Sequence, residues 1–175
     1  MRDFFGHPLI RIPIRYSIIG IFLYGTLFLL LYFLGNNPLT VGRPWDFGFI
    51  LVPLMIFFAI KDFKTNYNAG ELRFWQGMTA GFVTYFVLAL GVAIFIYLFL
   101  VVADTTILDG YIEDRVALLV SSKEQFISQL GEDLYHEQIT KMKQTTAIVV
   151  AVDDFWKKLL IGLFLTILIA AVLRK

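Results

Sequence analysis

Two short clusters hold the side chains best suited to chemistry. Asp133, His136 and Glu137 fall within one helical turn, and Asp133 with His136 has the three-residue step of a carboxylate–histidine metal pair. A di-iron bundle needs two such pairs and two further carboxylates from other helices. This chain offers one pair, and its only other histidine, His7, is expected on the opposite side of a membrane. A solvated helix face explains the cluster more simply, so neither metal nor cofactor is expected. In the second cluster, Asp153 and Asp154 precede Lys157 and Lys158 by four residues. On a helix these become i, i+4 ion pairs, worth a few tenths of a kcal/mol when exposed. The alternative is a set of carboxylates at a membrane boundary that bind a proton or cation. Asp104, closing an apolar run, has the same two readings.

Other catalytic patterns are missing. There is no Gly-x-Ser-x-Gly, no phosphate-binding glycine loop and no dinucleotide fingerprint. With no cysteine, thiolate catalysis, zinc–thiolate sites and disulfides are excluded. Tyr24, Tyr85, Tyr97, Thr79, Thr84 and Gln76 are the polar candidates for a solute pathway, and hydrogen bonding between helices accounts for them equally well. An enzymatic role is not expected.

The elements that carry these residues are set by hydropathy. Of 175 residues, 58% are hydrophobic and 17% aromatic, with a mean hydropathy of +0.74. Soluble domains run at about 45–50% apolar, so the composition points to lipid. The net charge of +1 gives no reason to expect a nucleic-acid partner. Four charge-free runs stand out: Tyr16–Leu34, Phe47–Ile60, Trp75–Ala103 and Leu159–Leu173. About twenty helical residues cross a hydrocarbon core, so the first and third suffice alone. The second and fourth need their flanks: Trp45, Asp46 and Lys61 for one, Trp156, Lys157, Lys158, Arg174 and Lys175 for the other. The second could instead be a re-entrant or interfacial segment, and Pro53 inside it should kink a helix.

The expected fold is therefore all-α: four transmembrane helices with an extramembrane helical hairpin between the third and fourth. Residues 1–15 read as an interfacial foot, because Pro8 and Pro13 are expected to forbid a continuous helix before the first span. Residues 16–103 hold three spans, 104–154 an amphipathic arm, and 155–175 the fourth span. Four crossings put Arg2, Arg11, Arg15, Lys61, Lys64, Arg73, Arg174 and Lys175 on one side, against Arg43, Arg115, Lys123, Lys141, Lys143, Lys157 and Lys158. Arg115, Lys123 and Lys141 sit far from a span and count least, so both termini are expected in the cytoplasm. The N-terminal segment lacks the short core and cleavage site of a signal peptide.

Two surfaces are legible. In the arm, Ile112, Val116, Leu119, Val120, Phe126, Ile127, Leu130 and Leu134 recur at three- and four-residue steps, the mark of an apolar stripe facing a partner. Gly131 is placed to break that helix. In the spans, Gly77 and Gly81 make a Gly-x-x-x-Gly pair, and Gly162, Thr166 and Ala170 form a small-residue stripe. Such stripes let helix backbones approach closely, within one bundle or between molecules.

The layout as a whole resembles a family of small four-span membrane proteins, domain of unknown function 4199, found mainly in Bacteroidota. The residues that carry the resemblance are Lys61-Asp62-Phe63-Lys64 after the second span, the Asn68-Ala69-Gly70 turn, and Phe74 leading to Gly77 and Gly81. Asp104, the charged amphipathic stretch, and a last span from Ile161-Gly162-Leu163 to Arg174-Lys175 complete it. The resemblance implies an inner-membrane location and a four-span fold, with no activity or catalytic residue to carry over. The expected role is a non-enzymatic interaction or accessory subunit, meeting membrane lipid and another membrane protein or a second copy of itself. The alternative is a small transporter or channel-like protein.

Overall fold

A computed structural model describes residues 7–40 and 47–174. The first helix, α1 (Pro8–Phe33), begins on a proline whose missing N–H costs nothing at that position, and the His7 imidazole accepts from the Leu9 N–H at 3.2 Å. It continues unbroken through Pro13. This corrects the expected foot: residues 8–15 are the first turns of α1, and residues 1–6 lie outside the described residues. Pro13 removes one backbone bond, but its ring is buried in the bundle, and its own carbonyl accepts from Ser17 Oγ at 2.8 Å.

Helix α2 (Phe47–Asp62) passes through Pro53 and widens into a π turn at Phe63–Tyr67. Ala69 and Gly70, at φ 52° and 82°, then reverse the chain. Helix α3 (Phe74–Leu98) opens with the Gln76 side chain accepting from the Arg73 N–H at 2.9 Å and ends in a second π turn, Phe99–Ala103. Three short helices follow: α4 (Thr106–Ser121), α5 (Lys123–Leu130) and α6 (Glu132–Lys143). Between α5 and α6 the chain turns at Gly131, whose φ of 89° and ψ of 162° suit glycine alone. The last helix, α7, runs from Ala147 to Leu173.

Residues 147–154, which the sequence assigned to the arm, are therefore the first two turns of the last helix. Charge-free runs misplace this boundary because they treat Asp153 to Lys158 as an end. Each carboxylate there is bonded to the lysine one turn on, Asp153 to Lys157 and Asp154 to Lys158. Two neutralised pairs do not stop a helix.

In the bundle, α3 packs against α1, α2 and α7, and α2 also packs against α1 and α7. Val52, Ile56, Ala59 and Ile60 of α2 and Leu88, Val92 and Ile96 of α3 are fully buried. Ser17 Oγ also lies 2.9 Å from the Thr84 carbonyl, so a single hydroxyl links α1 to α3. At the arm end, Phe28 packs edge to face on both Phe95 and Phe99, with centroids 5.4 and 5.0 Å apart.

The outer surface decides the solvent. Phe22, Phe33, Val102, Phe164 and Val172 point outward and are largely exposed, as are Leu and Ile side chains along α1, α3 and α7. Soluble monomers rarely show contiguous apolar patches above a few hundred Å². Three helices, Pro8–Phe33, Phe74–Ala103 and Ala147–Leu173, are long and apolar enough to cross a membrane. The protein is membrane-embedded.

Candidate functional site

The five small residues singled out in the spans face one another. A Cβ built on Gly77 would come 2.8 Å from the Ala170 Cβ, one on Gly81 would come 2.7 Å from Thr166 Oγ1, and one on Gly162 would come 2.6 Å from the Tyr85 Cβ. They form a single seam between antiparallel α3 and α7, and Thr166 and Ala170 are fully buried within it. Dispersion between closely spaced backbones holds such a seam in lipid, where apolar burial supplies no drive. The contact lies within one chain.

One turn above Gly162, toward the arm, the seam gives way to charge. Lys158 is 2% exposed; its ammonium bonds the Asp154 carboxylate and stands 4.8 Å from the centroid of the Tyr24 ring on α1. The side chain leans toward the start of its own helix, as helical side chains do, which carries the amine back to Asp154. Eleven residues separate Lys158 from Ala147 and fifteen from Leu173, so at 1.5 Å per residue it lies about 17 and 23 Å from the helix ends. This is an ionic pair deep in the membrane-embedded bundle. By sequence, Tyr24 is a polar candidate and the four charges are boundary residues. The meeting of Tyr24 with Lys158 and Asp154 inside the bundle follows from neither spacing nor hydropathy.

The neighbouring pair shares the spacing and differs in direction. Asp153 and Lys157 line a cleft of about 380 Å³ between α7 and the arm, together with Tyr111, Arg115, Lys141 and Thr145. Arg115 lies over the Tyr111 ring at 5.1 Å, and its Nε is buried without a hydrogen-bond partner. No sequence pattern pointed to Tyr111 or Arg115, because the cleft joins segments some forty residues apart.

The arm is held at its root. Asp104 accepts from the Thr106 hydroxyl at 2.6 Å, from the Thr106 N–H at 2.9 Å and from Tyr32 OH at 3.0 Å. These bonds hold its carboxyl below the usual aspartate range, the Thr106 side chain contributing most. Asn37 Nδ2 donates to the Ile107 carbonyl at 2.9 Å. Farther out, α6 folds back on α4 and α5 around the buried Tyr135, with Phe126 at 6.0 Å. Of the predicted stripe, Ile112, Val116, Leu119, Phe126 and Ile127 are half-buried. Val120, Leu130 and Leu134 stay exposed, as does Leu118 beside them. In the Asp133–His136–Glu137 cluster, His136 turns to Glu132 at 3.8 Å and Glu137 to Lys141 at 2.6 Å, all on an exposed face.

Fold and site together define an all-helical membrane-embedded bundle with a buried ion pair and a polar arm on one end. Within that class, the family model for Protein of unknown function (DUF4199) matches residues 15–175, and the chain belongs to this family. No curated protein and no solved structure matches it.

Proposed function

We propose that this protein is a four-span inner-membrane accessory subunit that works by contact rather than catalysis, with both termini in the cytoplasm. Helix α2 would be the fourth crossing: it packs inside the bundle against all three long helices, and its 16 residues continue into the π turn. With Lys157 and Lys158 inside α7, five basic residues remain on the arm side against eight on the other, which favours cytoplasmic termini.

The observation that carries the reading is the arm's outer face. Val120, Leu130 and Leu134 are 54%, 53% and 44% exposed on the arm, with Leu118 exposed as well. A partner protein, or a second copy, would cover them. Photo-crosslinkers placed at Val120 and Leu134 in intact cells should give a discrete adduct that one placed at Ser128 does not. An adduct of twice the chain mass would indicate self-association. No adduct from either position would overturn the reading.

A second reading, a small transporter or channel-like protein, is favoured by Asp154 and Lys158, because ionisable groups at membrane depth commonly mark an ion or proton path. Against it, the seam below Lys158 is closed by Tyr85, Thr166 and Ala170, so solute would need α3 and α7 to part. Flux in proteoliposomes that Lys158→Met abolishes would favour this reading.

A further inference from the structure

The cleft between α7 and the arm has features that neither the contact reading nor the buried pair uses. Three of its lining side chains are cationic, Arg115, Lys141 and Lys157, against one carboxylate, Asp153. Lys157 is bonded to Asp153, and Lys141 to Glu137 just outside the lining. That leaves Arg115, whose charge no carboxylate meets at ion-pair distance among the described residues. Its guanidinium carbon stands 5.1 Å from the Tyr111 ring centroid, and its buried Nε–H is a donor without an acceptor. A buried donor without an acceptor is unfavourable, so the site has a place for an anion that accepts from it.

The position in the fold selects which anion. The cleft lies between the arm and the first three turns of α7, with Met142, Val149 and Val150 completing its wall. An anion bound there lies against Arg115 and Lys141 at the arm end of a membrane-embedded bundle, where lipid headgroups are the phosphates at hand. Basic pockets at helix ends are suited to such headgroups.

We propose that this cleft seats the phosphate of an anionic membrane lipid, with Arg115 as its principal contact and Lys141 as the second. The site requires only membrane embedding and stands apart from the contact reading of the arm. The test is native mass spectrometry of the full chain released from mild detergent, after exposure to phosphatidylglycerol, phosphatidylcholine or inorganic phosphate. The expected result is a retained phosphatidylglycerol adduct, weakened roughly tenfold or more by Arg115→Gln, and no retained phosphatidylcholine. Millimolar inorganic phosphate should not displace the lipid. Lys141→Gln, on an exposed turn of the arm, should weaken the adduct several-fold, and serves if Arg115→Gln fails to fold. Equal retention of both lipids, or phosphatidylglycerol binding untouched by a folded variant, would overturn the site. Inorganic phosphate binding with the same dependence on Arg115, and no lipid, would overturn the lipid assignment in favour of a soluble anion.

Discussion

Replacing Lys158 with methionine keeps the length of the side chain and removes its charge. The Lys158 and Asp154 side chains are 3% and 15% exposed, whereas Lys157 and Asp153, one residue earlier on the same helix, are 56% and 51% exposed. The two pairs share residue types, spacing and helix, so burial alone separates them. Removing one member of a buried pair leaves an uncompensated charge and costs about 3–5 kcal/mol, toward the lower end where the carboxyl can take up a proton. For a chain of this length, 1 kcal/mol moves Tm by about 2–4 °C, so Lys158→Met should lower it by roughly 6–20 °C. Lys157→Met should cost no more than about 1 kcal/mol. The double replacement Asp154→Leu with Lys158→Met removes both charges and should return stability to within about 1 kcal/mol of the native chain or above it. Thermal unfolding in one detergent, followed by circular dichroism, reads all four proteins. Equal losses from Lys157→Met and Lys158→Met, or a double variant no better than Lys158→Met alone, would refute a buried pair. A stable double variant also separates structure from transport, since a translocation role predicts that it loses flux while keeping its fold.

Three further outcomes follow from local geometry. Gly162→Ala places a methyl 2.6 and 2.8 Å from the Tyr85 Cβ and Cδ2, where nothing flexible can give way, and should destabilise by about 1–3 kcal/mol in the same assay. Gly25→Ala meets only Phe95 at 3.7 Å and should be neutral or stabilising, so equal effects would contradict the seam. Gly131→Ala forces a side chain into a φ of 89° and should loosen the arm by about 1–3 kcal/mol. Hydrogen exchange should then rise in α5 and α6 and stay unchanged in α3 and α7; uniform exchange would mean that the arm is not a separate unit. The Asp104 carboxyl, held low chiefly by the Thr106 side chain, binds fewer protons folded than unfolded. Its stabilisation is present above the ordinary aspartate pKa and is lost as pH falls through the lowered folded value. A ¹³C carboxyl titration should place its midpoint below 3.8, and Thr106→Val should raise it; a native midpoint above the ordinary value would contradict the cap.

Membrane embedding and helical class were written in the sequence, because hydrocarbon accepts only backbone that bonds to itself and a run such as Trp75–Ala103 has one way to do that. The small residues were legible too: Gly77, Gly81, Gly162, Thr166 and Ala170 stand at helical steps, and close packing is what that spacing permits. Whether they met within one chain or between two depended on the pairing of α3 with α7, which no local pattern specifies. Pro13 and the Asp153–Lys158 quartet were misread for a common reason. Taken singly, a proline stops a helix and a charge ends a span, but a buried ring and a partner one turn away cancel those costs, and both compensations are contacts rather than residue types. The eight apolar residues of the arm stand at helical steps, yet periodicity cannot say what covers them: five are half-buried and three stay exposed. Tyr24 against Lys158, and Arg115 above Lys157, are meetings of residues more than forty positions apart. The sequence set which side chains could bear charge in this membrane, and only helix packing decided which of them are buried together and which face the cleft.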